Sequence, residues 1–249
     1  MKLSDYFLPA PLLLSILPTA QALVGSSWSI SNVPSTGLTD ITFPITIVEA
    51  DHISGYYFAQ QFNFVGLSDV GYTGIQPRPN KGGKAVLHGV FSSFVPGSTT
   101  SDANCRSGAD GGAGVSCSFE WNGVYGRKYD FEVKTTGNRL WVGTAVDTVT
   151  GQRIHIGSYT LPAGSQGIRN SQAGFVEWYP WNGGEPPNHC ARLPYQKTIF
   201  GNPTTTHAGS VGQQGLSYEY GDCVGQVAFH TERVTGGVEN NCGFRGQSG

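Results

Sequence analysis

Over residues 128–134 the chain alternates without a break: Tyr129, Phe131 and Val133 point one way, and Lys128, Asp130, Glu132 and Lys134 the other. A two-residue period belongs to a strand with one face buried and one wet, and a helix cannot satisfy it. The period recurs over 56–64, where Tyr56, Phe58, Gln60, Phe62 and Phe64 oppose Tyr57, Ala59, Gln61 and Asn63. Further strands are read at 41–48, 71–76, 84–94, 117–121, 139–148, 152–161, 173–181, 216–220 and 224–234. Pro44 marks the first of these as an edge strand, since proline donates nothing to a ladder. Turn formers separate the segments: 77–83, Asn122-Gly123, Thr136-Gly137-Asn138 and Thr150-Gly151. The strands over 127–134, 139–148 and 152–161 read as a meander. Roughly ten short strands at this spacing predict an all-β fold of two stacked antiparallel sheets, a jelly-roll or lectin-like sandwich. The 36 glycines and 12% aromatic residues fit that class and suit helices badly.

The N-terminus reads as a leader. An apolar run over 7–17, interrupted by Pro9 and Pro11, ends at Ala20-Gln21-Ala22, the small-x-small pattern of a signal-peptidase site. Residues 1–22 are therefore expected to be a signal peptide cut before Leu23. The run falls short of the about 20 apolar residues of a membrane span, and its prolines count against a buried helix. Nothing else is apolar enough to span a bilayer, and the polar stretch 243–249 does not resemble a lipid-anchor tail. An extracellular protein is expected, with residues 23–249 forming one domain whose C-terminal segment, from about 198, is loop-rich. The net charge of −2 argues against nucleic acid, whose binding needs clustered cations, and against a polybasic membrane patch.

In an oxidising compartment cysteines pair by default. Cys105 and Cys117 bracket a Gly-rich loop and are the expected bridge, with Cys190–Cys223 favoured as the second and one cysteine left over. No metal or cofactor is expected, because zinc-type Cys/His spacing is absent. The loop over 102–114 carries too few carboxylates for an EF-hand calcium site.

Four stretches carry a resemblance: Tyr56-Tyr57-Phe58-Ala59-Gln60-Gln61-Phe62, Gly71-Tyr72-Thr73-Gly74-Ile75-Gln76, residues 141–157, and Gly174-Phe175-Val176-Glu177-Trp178-Tyr179. Together they make the chain similar to an uncharacterised extracellular family, domain of unknown function 3472. The resemblance implies a secreted β-sandwich of lectin-like architecture, and no activity or catalytic residue comes with it.

Two clusters could carry chemistry. In the strand over 175–181, Glu177 shares a face with Phe175 and Tyr179, while Val176 and Trp178 share the other. Carboxylates among aromatic rings suit sugars, whose apolar faces stack and whose hydroxyls take hydrogen bonds. Glu177, Trp178, Tyr179 and Trp181 form the first candidate contact set, against the alternative that the rings are core. Tyr72, Gln76, Arg78 and His88 form the second, against the alternative that they satisfy one another. No Gly-x-Ser-x-Gly elbow occurs, and no two carboxylates are paired by spacing as a glycosidase requires. The expected function is a lectin-like module binding a glycan or cell-wall polysaccharide. A polysaccharide hydrolase or lyase with Glu177 as best acid is the alternative, and an effector or toxin acting on a protein partner is the third.

Overall fold

The computed structural model describes residues 22–183 and 187–247; the expected signal peptide lies outside them except for Ala22. The chain forms β1 (Ala22–Ile30), β2 (Asp40–Ala50), β3 (Tyr56–Asn63), β4 (Val70–Lys81), β5 (Lys84–Ser93), β6 (Cys105–Ala109) and β7 (Gly112–Asn122). β8 (Lys128–Gly137), β9 (Leu140–Asp147), β10 (Arg153–Thr160) and β11 (Ser171–Trp178) follow. Two 3-10 turns, Tyr179–Gly183 and Pro187–Arg192, lead to β12 (Gln196–Gly201), β13 (Gly212–Gln214), β14 (Tyr218–Glu219), β15 (His230–Val234) and β16 (Gly237–Cys242).

These strands make the two-sheet antiparallel sandwich that the alternation predicts. One sheet has nine strands, in the order β13-β1-β11-β3-β4-β5-β7-β6 with β14 also on β1; the other has seven, in the order β10-β9-β8-β2-β12-β16-β15. The expected meander is β8-β9-β10. Both expected disulfides, Cys105–Cys117 and Cys190–Cys223, are present, and Cys242 is free and buried. Two bridges fit folding in an oxidising compartment. Among the described residues no helix is long and apolar enough to cross a membrane.

Three local expectations are corrected. β2 lies between β8 and β12 and is not an edge. Pro44 is tolerated because the β12 ladder ends at Phe200–Ile45, leaving no partner for the N–H that proline lacks. Residues 77–83 are not a turn throughout: β4 runs to Lys81, and Pro77 still pairs with Leu87 of β5. β3 stops pairing with β4 at Phe58–Ile75, so the prolines cost no ladder on that side. The strand read over 224–234 begins only at His230; the segment from 198 onward, mostly loop, also contributes β13 and β14 to one sheet and β15 and β16 to the other.

Between the sheets runs a column of rings: Trp28–Phe43 at 5.2 Å, Phe43–Phe62 at 6.3 Å, Phe62–Phe91 at 6.3 Å and Phe91–Tyr159 at 4.4 Å. Two glycines of the seven-stranded sheet seat bulky groups of the other. A Cβ at Gly143 would strike the Phe91 ring, and one at Gly157 would strike the Cys105–Cys117 bridge.

The turn after β9 is built by Asp147. Its Oδ1 accepts from the Val149 and Thr150 amides at 2.9 and 3.3 Å, and its Oδ2 accepts from Arg127 Nη1 at 2.7 Å. Burial pushes this carboxyl up, but the bonds from Arg127 and the two amides outweigh it and hold it below its ordinary value. A depressed carboxyl stabilises the fold above its unfolded pKa and loses that contribution as pH falls through the folded value. Asp147→Ala is expected to cost about 1–3 kcal/mol at pH 7 and less at pH 3, below the ordinary aspartate value, read by urea denaturation at both pH values. Equal cost at both would contradict the role given to the charge.

Candidate active site

The inner face of the nine-stranded sheet is core, and its outer face carries a cleft of about 890 Å³. Cross-strand partners share a face, so the ladder registers place the floor residues without ambiguity. Glu177 of β11 pairs with Tyr57 of β3. Gln76 of β4 stands one step beyond the Phe58–Ile75 pair, beside Tyr57. Gln76 pairs with His88 of β5, and His88 with Glu120 of β7. Five chemically active side chains thus form one row across the sheet. At the usual strand spacing the row spans about 19 Å, the length of five or six residues of extended polypeptide.

The next row along is small in the middle: Phe175, Ala59, Gly74, Val90 and Ser118 are successive partners. Gly74 is obligatory, since a Cβ there would run into the Phe58 carbonyl of β3. Over this low strip Tyr57, Tyr72 and Phe175 meet edge to face, with centroids 5.5–6.0 Å apart. The face of β3 that looks polar in sequence is therefore the cleft floor: Tyr57 is 4% exposed and Ala59 fully buried.

Glu177 is 8% exposed, and its Oε1 accepts from Asn182 Nδ2 at 2.7 Å. Burial pushes its carboxyl upward, the Asn182 bond offsets part of that, and the charge of Asp110 adds to the rise. Among the described residues no cation pairs with it. Beside it, the Tyr57 hydroxyl is buried without a hydrogen-bond partner, and burial pushes its pKa up strongly, so it stays protonated.

The other end of the row is charged and largely self-satisfied. Glu120 faces Arg78 Nε at 3.4 Å and His88 Nδ1 at 3.4 Å, and pairs closely with Lys81 Nζ. The Lys81 bond is the main reason its carboxyl sits below the ordinary value. Burial, and next the Arg78 charge, push the His88 imidazole down to about 4, so it is neutral near pH 7. At the third row, Tyr72 donates its hydroxyl to Asp110 Oδ2 at 2.6 Å, which brings a second carboxylate from the β6–β7 hairpin into the cleft.

Six of the eight expected contact residues line this cleft: Tyr72, Gln76, Arg78, His88, Glu177 and Tyr179. Trp178 and Trp181 do not. They belong to the core, 6% and 8% exposed; Trp178 projects from the face of β11 opposite Glu177 and packs on Tyr56 at 4.9 Å. Trp181 falls in the 3-10 turn, where strand alternation no longer holds. Tyr57, Asp110 and Asn182 fall outside the two contact sets expected from sequence, because only the β3 register and two turns bring them to Glu177.

Asp102, His155 and Ser158 are also together, and they do not form a serine triad. Asp102 Oδ2 accepts directly from Ser158 Oγ at 2.8 Å and meets His155 Nε2 at 2.6 Å, so the carboxylate takes the serine bond that a catalytic imidazole would need.

No protein-family model matches the chain, and no curated protein matches it. Among solved structures it is similar to scytalido-glutamic peptidase with a peptide-based transition-state analog, over 91% of this chain and 100% of that one, at 13% identity and a TM-score of 0.51. It is also similar to SCP-B, a member of the eqolisin family of peptidases in a complex with a tripeptide, over 91% of this chain and 100% of that one, at 12% identity and a TM-score of 0.45. At that identity the first likeness is one of fold.

Proposed function

We propose that the protein is a secreted hydrolase that cleaves polypeptide laid across the outer face of the nine-stranded sheet, with Glu177 as its proton-transfer group. The observation that carries this reading is the pair at the end of the floor row: a buried carboxyl with a raised pKa and no cation on it, beside the unpartnered Tyr57 hydroxyl. Groups tuned this way in a cleft are the usual mark of a reacting centre. The peptidase named among the similar folds supports polypeptide as substrate.

The reaction follows from the groups present. Ionised Glu177 takes a proton from water as the water oxygen attacks the peptide carbonyl. The oxyanion that forms is stabilised by donors already in place, the Tyr57 hydroxyl and the Gln76 amide. Glu177 then returns its proton to the departing nitrogen as the C–N bond breaks, and the ionised carboxylate is restored. His88, neutral near pH 7 because burial pushes its imidazole down to about 4, adds no charge to the site there.

The pH dependence has a definite sign. Glu177 acts ionised, so the rate rises with pH through its folded pKa, which lies above the ordinary 4.5. Asp110→Asn removes a like charge and is expected to move this acid limb to lower pH. Asn182→Ala removes a bond to the ionised form and is expected to move it to higher pH. A pH–rate profile in which neither limb moves would assign the limb to another group.

A second reading keeps the cleft for a polysaccharide. Its support is Asp110, a second carboxylate whose charge reaches Glu177, since glycosidases work with two. Aromatic rings in the floor suit binding without cleavage as well. The resemblance to domain of unknown function 3472 is compatible with either reading, as it brings no activity. The test is incubation of the purified protein with denatured serum albumin and with a panel of plant, fungal and bacterial polysaccharides. Peptide release favours the first reading, sugar release the second, and retention on a polysaccharide without release the lectin.

A further inference from the structure

We propose that Arg78 is a positioning residue that fixes the Gln76 side chain as a hydrogen-bond donor and sets its distance from the strand carrying Glu177; this rests on the hydrolase reading above. A glutamine amide has two faces of opposite sense, an acceptor oxygen and a donor nitrogen, and exchanging them costs little unless something holds one of them. Guanidinium groups only donate. Arg78 Nη2 donates to Gln76 Oε1 at 2.5 Å, so the oxygen is occupied and Nε2 is left to face the cleft. The sense of the amide is thereby the one an oxyanion needs.

The guanidinium is itself held from three directions. Nη1 donates to the Pro77 carbonyl at 2.8 Å and to the Tyr179 hydroxyl at 3.4 Å, and Nε faces Glu120 Oε1 at 3.4 Å. Its side chain is only 15% exposed. Tyr179 lies two residues beyond Glu177 on the same chain segment, so one planar group ties the strand of the amide to the segment of the acid. Gln76 and Glu177 sit on strands separated by β3, and no direct bond between them would keep that spacing. Lysine offers a point charge on a flexible stem and cannot engage Gln76, Tyr179 and Glu120 in separate directions.

A double-mutant cycle tests the claim, with an internally quenched peptide chosen from a library by the wild-type protein as substrate. Gln76→Ala is expected to lower kcat about 10²-fold, as loss of one oxyanion donor does. Arg78→Met is expected to approach that loss with little change in KM, and Arg78→Lys to recover little of it. Because Arg78 acts through Gln76, the double variant should be no slower than Gln76→Ala alone. Losses that multiply would mean that Arg78 acts on substrate or fold by another route, and would overturn the proposal.

A second readout needs no turnover. The Gln76 side-chain amide resonances, identified by their loss in Gln76→Glu, should lie away from the free-glutamine position in the wild type. They should move towards that position in Arg78→Met and Arg78→Lys. A free-glutamine position already in the wild type would overturn the proposal, even if Glu177→Gln abolishes hydrolysis. Conversely, Glu177→Gln with unchanged hydrolysis removes Glu177 as the proton-transfer group, and no peptide release by the wild type removes the hydrolase reading, while in either case the amide resonances still report whether Arg78 holds Gln76.

Discussion

Glu177→Gln is expected to lower the hydrolysis rate about 10²- to 10⁴-fold, the range for loss of a positioned acid–base group. The substitution keeps the shape of the side chain and its contact with the Asn182 amide, so KM should stay within about threefold of the wild type. The same variant should be no less stable at pH 7, and more stable if anything. Burial raises the Glu177 pKa above its unfolded value; a raised carboxyl favours the fold when protonated and loses that contribution as pH rises through the folded pKa. A permanently neutral amide in its place avoids that loss. Reduced activity with an unchanged or raised melting temperature separates a catalytic defect from a folding one. A variant that loses both would place Glu177 among structural groups.

The largest effect on stability is expected at Phe91. It is fully buried, stacks on Tyr159 at 4.4 Å and occupies the hollow that Gly143 leaves in the opposite sheet. Phe91→Ala is expected to cost about 3–5 kcal/mol, since the glycine beneath has no side chain to collapse into the void. Removing the neighbouring Cys105–Cys117 bridge, which closes a loop of 12 residues, should cost about 3 kcal/mol in the chain-entropy picture. Urea titrations read both, and a Phe91→Ala loss below about 1 kcal/mol would mean that the sheets close over the gap.

Much of this architecture is written in the two-residue period. Where one face meets the core and the other meets charge, as at Tyr129 to Val133, sequence and structure coincide, and β8 is found in its expected meander. The period also places Glu177 and Trp178 on opposite faces of β11, which already implies that both cannot line one cleft; Trp178 is core. What the period misses has physical causes. β16 has the sequence Gly-Val-Glu-Asn-Asn-Cys, and Asn240, fully buried there, accepts from Gln196 Nε2 at 3.1 Å, so a polar stretch becomes an inner strand through side-chain bonds that sequence does not display. Pro44 reads as an edge, but the local ending of β12 hides the missing donor inside a sheet. The site was half legible: residues on one strand, such as Tyr72 and Gln76, could be placed on one face by counting. Their juxtaposition with Glu177 depends on β3 lying between β4 and β11, a long-range register that no local pattern encodes.

The most direct test of the account is digestion of denatured serum albumin by the purified protein in water enriched in oxygen-18, between pH 4 and 7, with Glu177→Gln in parallel and products read by mass spectrometry. The account predicts new peptides whose C-terminal carboxylates carry one heavy oxygen, formed by the wild type and nearly absent with the variant. Labelled peptides in equal amount from both proteins, or none from either, would contradict it.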